Sequence, residues 1–443
     1  MAEDEIKELR EQLQGMAEAL AANKKLLESV AVTQTNSMLL FHQQQHEKKL
    51  EIIRNKRRRG EKIKVFFLNA TLSKFPEKSI YDHMVRSDVF DPYIFIVARN
   101  TSDHKVIREN YEVFLRRGYK VIYGYDRNEA AIGLDVFQPD LVFFNESPTF
   151  RGEYRVDLMQ YRYLTCYVPY GMSVAKSDKY QFENNALNMS WKNFAAIGQV
   201  YTAFFNSKLT PYNAVHFGYP KIDAYMKPLE ETVIDKKIDN GKPIVIYAPH
   251  WTIQKCGSLA TFDLYYEFFF SLLEENRDIN FVFKPHPELR KRIAVLEKDG
   301  VLETLSVAKY DEYFEKWNAA PNGLCVTDGE YIDLFRRSEC LITDSGSFVA
   351  EWLPTGRPCI FLYPPENKNY ERWFRPFAQR ILETYYPAGT QAEIRQHFER
   401  IIGGQDEKKK KRAELSKALF TNLGCAGAEI VRYLTAQVSG GSE

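Results

Sequence analysis

The chain has 443 residues, of which 44% are hydrophobic and 27% charged, with a formal net charge of +1. That length exceeds one ordinary core and predicts two domains plus an appendage, while the near-zero charge argues against bulk electrostatic binding to nucleic acid. No apolar run approaches the roughly 18 residues of a membrane span, and Met1-Ala2-Glu3-Asp4-Glu5 lacks the basic start and apolar core of a signal peptide, so a cytoplasmic protein, or one peripheral to the inner face of the cell membrane, is expected.

Residues 1–58 are rich in Glu, Gln, Lys, Ala and Leu and hold no proline. Ile6, Leu9, Leu13, Met16, Leu20, Leu27 and Val30 fall at alternating three- and four-residue steps, with Asn23 in the one polar slot. This is the heptad seam of a coiled coil, in which a buried Asn commonly fixes register and oligomer state. The pattern decays through Gln34, Thr35 and Asn36 and partly resumes near Leu39 and Leu50. A self-association or tethering helix is the favoured reading, and a helix packed on its own domain is the other. Its end, Lys56-Arg57-Arg58-Arg59-Gly60, reads either as a solvated linker or as a patch for anionic lipid headgroups.

From Glu61 apolar runs recur at 63–68, 93–97, 120–123, 141–144, 164–168, 194–197 and 214–217, with helical spacing between several of them, as at 79–85 and 106–115. Such alternation predicts a doubly wound, mostly parallel sheet over residues 61–229. No Gly-x-Gly-x-x-Gly follows the first strand, which disfavours a dinucleotide site. The charged segment 230–242, with Asn240-Gly241, reads as an interdomain linker. A second alternation fills 242–387, and 388–443 reads as a helical tail whose run from Asp406 to Arg412 is expected to be a solvated helix face. Two Rossmann-like domains facing a cleft, preceded by a coiled-coil helix, describe the α/β architecture known as GT-B. The six cysteines, at 166, 256, 325, 340, 359 and 425, form no Cys-x-x-Cys pair and predict reduced thiols.

The second domain concentrates the chemistry. Tyr247-Ala248-Pro249-His250-Trp251-Thr252 ends one apolar run, Lys284-Pro285-His286-Pro287 the next, and Thr343-Asp344-Ser345-Gly346-Ser347 a third. In open α/β sheets ligands bind beyond the carboxyl ends of the strands, so one pocket is expected to collect these clusters. His286, between prolines that each fix φ, is presented from a stiff segment suited to electrostatic or acid–base work; a strand-ending turn is the plainer reading. Lys284 either neutralises a phosphate or is solvated. The third cluster is either an ordinary helix cap or an anion site built from free N–H groups and the helix dipole. Asp-x-Asp and His-Glu-x-x-His are absent from the sequence, so no metal is implied, and no cofactor is expected besides a nucleotide-activated donor acting as substrate.

Tyr247-Ala248-Pro249-x-Trp251, Lys284-x-His286-Pro287 and Leu341-Ile342-Thr343-Asp344-Ser345-x-Ser347, in this order, resemble the CDP-glycerol glycerophosphotransferase family of wall teichoic acid and capsule polymerases. Gly218-Tyr219-Pro220-Lys221-x-Asp223 resembles that family's Gly-x-Pro-Arg-x-Asp, with Lys221 for arginine. The resemblance spans roughly residues 65–389 and leaves out the N-terminal helix. It implies a GT-B transferase that passes glycerol phosphate from CDP-glycerol to an acceptor hydroxyl and releases CMP. By carry-over His286 contacts the donor phosphates, and Ser345 and Ser347 cradle them beside Lys284, Thr343, Asp344 and Gly346. Gly171, Trp251, Thr252, Gly218 and Lys221 are expected to line the cleft.

Two positions depart from the family. Tyr170-Gly171 stands where the family carries His-Gly, whose histidine is thought to be the base, and a phenol with a pKa near 10 is a poor base at neutral pH. His250 stands where a small or hydroxylic residue is usual. His250 is therefore the expected base, with Tyr170 the remaining candidate, unless the donor itself differs. The expected partners are the donor, a polysaccharide or lipid-linked acceptor, a second copy through the N-terminal helix and a membrane surface. A sugar transferase using another nucleotide donor, and a catalytically silent scaffold, are the competing functions.

Overall fold

Short, uninterrupted apolar runs make strands that both faces of a sheet can bury, and that is how this chain uses them. The computed structural model describes residues 2–98, 104–146, 150, 152–177, 187, 189–194, 213–255, 258–327, 329 and 331–441. Seven strands form the first sheet: β1 (Ile63–Asn69), β2 (Phe90–Ile96), β3 (Val121–Tyr123), β4 (Leu141–Phe144), β5 (Leu164–Tyr167), β6 (Lys192–Phe194) and β7 (Ala214–Val215). Six form the second: β8 (Ile244–Ala248), β9 (Asn280–Phe283), β10 (Gly323–Cys325), β11 (Cys340–Thr343), β12 (Cys359–Leu362) and β13 (Tyr386–Ala388). The strand orders are β3-β2-β1-β4-β5-β6-β7 and β10-β9-β8-β11-β12-β13, and every pairing is parallel. The expected run at 194–197 begins β6's last residue, and its remaining positions lie outside the described residues.

Each sheet is packed on both sides. Phe67, Ile94 and Phe143 face one core while Phe66, Phe95 and Val142 face another; in the second sheet Ile246, Val282 and Leu341 oppose Tyr247, Phe281 and Ile342. Both sheets reverse direction of growth next to their first strand, between β1 and β4 and between β8 and β11. Open α/β sheets hold ligands in the crevice at such switch points.

The N-terminal helix, Ala2–Arg58, has 57 residues and at 1.5 Å per residue is about 85 Å long. Its second part docks: Leu39, His42, His46, Leu50 and Ile53 are buried, and Leu50 and Ile53 join the core of the first sheet. Its first part does not dock on the described residues, and Leu13, Met16, Leu20 and Leu27 are 61–72% exposed. The basic end is engaged within the chain. Lys56 pairs with Asp140 at 2.7 Å, Arg58 with Glu51 at 2.9 Å and Arg59 with Glu61 at 2.6 Å, and Arg57 donates to the Glu61 carbonyl. Among the described residues no helix is long and apolar enough to cross a membrane.

Three connections tie the two sheets together. Residues 172–176 leave the first sheet and run along the second unit, where Lys176 N donates to Trp373 O and Arg375 N to Val174 O. The charged segment 230–242 lies against the second unit, with Ile238 in its core and Asn280 Nδ2 donating to the Ile238 carbonyl. The helices Gln391–Ile402 and Lys409–Leu419 pack on the second unit, but the last helix, Ala426–Ser439, returns to the first, burying Ile430, Leu434 and Val438 beside Leu50 and Ile53. The run from Asp406 to Arg412 is not wholly a solvated face. Arg412 is fully buried, pairs with Asp406 and donates to the carbonyls of Gly356 and Thr384. Sequence charge alone could not distinguish this arginine from the exposed lysines beside it.

Candidate active site

β9, β8 and β11 are neighbours, so the three polar clusters leave the second sheet at one edge. The loops are stitched together there, with His286 N donating to Pro249 O at 3.1 Å. The rings of His250 and His286 are 5.1 Å apart, and Trp251 lies 6.1 Å from His286. His286 Nδ1 accepts from the Glu288 backbone N–H at 3.1 Å, which leaves Nε2 as the protonated nitrogen of the neutral ring. Burial, and then the charges of Lys74 and Lys284, push the His286 pKa down to about 4. Burial, His286 and Lys255 push His250 down to about 3. Both imidazoles are therefore neutral at pH 7, and His286 offers an N–H donor from a rigid segment. His250 Nδ1 is held 2.9 Å from Thr252 Oγ1, which in turn lies 2.6 Å from Ser258 Oγ.

The third cluster divides between scaffold and surface. Thr343 Oγ1 donates to Ala248 O at 2.6 Å and accepts from Ser345 N. Asp344 is buried, and its carboxylate accepts from His250 N, Thr261 N and Thr261 Oγ1 at 2.6–2.9 Å. Burial raises its pKa to about 7 in spite of these bonds. Asp344 thus pins the loop that carries His250 to the start of the helix Phe262–Glu275. Ser345 and Ser347 lie with their hydroxyls 3.3 Å apart where the helix Gly346–Trp352 begins. A Cβ on Gly346 would come within 3.1 Å of Val174 and 3.2 Å of Phe374, so glycine lets the crossing segment pass close to this turn.

The first sheet contributes the opposing wall. Asn69, at the end of β1, and Asn145, just beyond β4, both donate to the Lys74 carbonyl, at 3.1 and 2.9 Å. Lys74 Nζ lies 2.7 Å from Glu146 Oε1 and 4.5 Å from the centre of the Tyr170 ring. Glu77, behind this group, is buried, and burial pushes its carboxyl up to about 8. A Cβ on Gly171 would meet nothing within 4 Å.

Lys221 and Gly218 sit where the two units and the tail meet. Lys221 Nζ pairs with the buried Glu351 at 2.8 Å and donates to the Tyr170 carbonyl at 3.2 Å. Glu351 also accepts from the Tyr331 hydroxyl, and the Tyr331 ring lies 5.3 Å from Lys221 Nζ and 5.5 Å from Lys284 Nζ. Gly218 adopts φ +92° and a Cβ there would fall 2.1 Å from Thr421 O. Asp223 accepts from the Ala426 and Gly427 N–H groups and from Ser79 Oγ. This motif clasps the returning tail and the two units, with Lys221 bonded to Glu351 of the helix that Ser345 and Ser347 begin.

Lys74, Glu146, Tyr331 and Glu351 were not singled out by the sequence. For Glu146 a signal existed, since Asn145-Glu146 ends an apolar run as the second-domain clusters do. For Lys74 there was none, because its partners lie some 70 residues away. Among the described residues no three His, Cys, Asp or Glu side chains converge to hold a metal.

A variant of the wall teichoic acid polymerase TagF shares 14% identity, with a TM-score of 0.54 over 92% of this chain and 98% of that one; it has also been solved after a soak with CDPG. UDP-GlcNAc 2-epimerase from Neisseria meningitidis bound to UDP-GlcNAc shares 15% identity, with a TM-score of 0.52 over 84% of this chain and 100% of that one. At such identities these likenesses establish the fold, which is the GT-B-like pair of parallel sheets. No curated protein matches the chain. The sequence model described as CDP-glycerol:poly(glycerophosphate) glycerophosphotransferase matches residues 171–425, more than half of the chain and all three clusters of the second sheet, and the chain belongs to that family of transferases.

Proposed function

We propose that this transferase moves a glycerol-phosphate-type group from a CDP-activated donor to a hydroxyl of a surface polysaccharide or lipid-linked acceptor. The observation that carries the proposal is the neutral His286, its Nε2–H left free to donate by the Glu288 bond, at a strand edge shared with His250 and the serine turn. In this reading the second unit, residues 242–387, holds the donor and the first, 61–229, holds the acceptor. His286 donates to the donor phosphates as the bond to CMP breaks, with Lys284 supplying charge and Ser345 and Ser347 hydrogen bonds. His250 and Trp251 wall the same pocket. An acceptor on a lipid would bring the protein to a membrane surface, although the basic residues 56–59 are already engaged within the chain. The exposed stripe of the N-terminal helix suits pairing with a second copy.

The test offers the full-length protein a panel of CDP- and UDP-activated donors with polymer primers and follows transfer by mass spectrometry. Glycerol phosphate addition from CDP-glycerol, lost in His286→Ala, is expected. Transfer from UDP donors alone would overturn the donor assignment, and turnover of none would point to a scaffold.

A further inference from the structure

Resting on the donor assignment above, we propose that Glu146 is the general base that accepts the proton of the acceptor hydroxyl, and that Lys74 is its positioning residue. His250 belongs to the second sheet, 5.1 Å from His286, with its Nδ1 tied to Thr252, and so stands with the donor. A base must meet the incoming hydroxyl on the opposing wall, at the β1–β4 switch point. Among the described residues there, Asn69 and Asn145 are amides, Lys74 is paired with Glu146, and Tyr170 carries a phenolic O–H that must first lose its own proton to act as a base. The carboxylates are Glu77 and Glu146. Both are buried, 1% and 5% exposed; Glu77 accepts from Asn145 Nδ2, and burial raises its pKa to about 8. Glu146 is joined to Lys74, and Lys74 packs on the ring of Tyr170, the residue in the place of the family's histidine.

The charge of the same lysine, after burial, helps to lower the His286 pKa. Two asparagines hold the Lys74 carbonyl, which anchors the backbone from which its ammonium reaches Glu146. In the reaction the acceptor oxygen attacks the phosphorus that bears glycerol. The new P–O bond forms as the P–O bond to CMP breaks, CMP leaves with the electron pair, and the acceptor proton passes to Glu146. Aspartate performs the equivalent step toward a substrate hydroxyl in protein kinases.

Glu146→Gln should lower transfer by about 10²–10⁴-fold while CDP-glycerol affinity, read by calorimetry, is unchanged. The acid limb of the pH–rate profile should vanish, and formate should restore part of the activity of Glu146→Ala, neither of which a structural role would produce. If the glutamine variant melts early, Glu146→Asp, which keeps the charge but withdraws it by one methylene, should bind donor and transfer slowly. Wild-type turnover with an intact acid limb in Glu146→Gln overturns the proposal. Failure of the wild-type protein to bind CDP-glycerol would instead remove the donor assignment beneath it, so the two failures are distinguishable.

Discussion

Lys221 and Glu351 form an ion pair in a largely buried site, 13% and 3% exposed. Attraction between buried charges only offsets their desolvation when the geometry is good, but removing one partner strands the other at a cost of about 3–5 kcal/mol. Lys221→Met should therefore destabilise the fold by that order, and should also release Tyr331 and the Tyr170 carbonyl from their common partner. Replacing both, as Lys221→Met with Glu351→Leu, should recover much of the loss. Thermal denaturation of the two variants decides it, and equal stability of the single variant and the wild type would show the pair to be dispensable. The resemblance to Gly-x-Pro-Arg-x-Asp located Lys221 without revealing this partner, because 130 residues separate the two. Asp344 is a similar case: its type suggested a ligand contact, but three donors inside the protein already occupy it.

At the scale of the element, the second part of the N-terminal helix packs on its own domain, and the exposed stripe of its first part is the surface proposed above for pairing. With 100° per residue, the stripe Leu13–Met16–Leu20–Leu27–Val30 and the stripe Leu39–His42–His46–Leu50–Ile53 point about a quarter-turn apart, and the polar interval at Gln34–Asn36 is where the apolar face changes direction. Deleting residues 1–32 should abolish self-association while leaving the fold intact, whereas deletion to 58 should also uncover the core that Leu50 and Ile53 complete. Light scattering with a melting curve separates these effects, and unchanged mass in the shorter deletion would contradict the pairing.

The docked part also carries a pH dependence. Burial pushes His46 down to about 3, helped by the nearby charges of Lys49, His42 and Lys192, and burial with Lys49 lowers His42. Tyr161 packs on His42 at 4.8 Å, and Lys49 itself donates to the carbonyls of Gln160 and Tyr163. Groups with depressed pKa values stabilise the docked helix above their free value of 6.5 and withdraw that stability as pH falls below it, for His46 toward about 3 and by up to about 1.4 kcal/mol per unit. Protection factors of residues 39–53, with exchange referred to the intrinsic rate at each pH, should fall between pH 7 and 5, and protection that is flat across this window would contradict the assignment.

For the whole molecule, the two-sheet plan was legible because each strand is a short apolar run between polar breaks. The three clusters of the second sheet were legible because strand ends are where such folds place their ligands. What the sequence concealed was long-range: the return of Ala426–Ser439 to the first unit, its capping by Asp223, and the union of Lys74 with Glu146 and Tyr170. None of these leaves a local pattern, since each joins residues that are distant in the chain and unremarkable beside their neighbours. The account rests most heavily on the edge shared by β8, β9 and β11 as the donor site. Calorimetric titration of the full-length protein and of His286→Ala with CDP-glycerol tests it most directly. Saturable binding that weakens at least about tenfold in the variant, a loss near 1.4 kcal/mol, is the expected result; binding of equal strength in both proteins, or none in either, would contradict it.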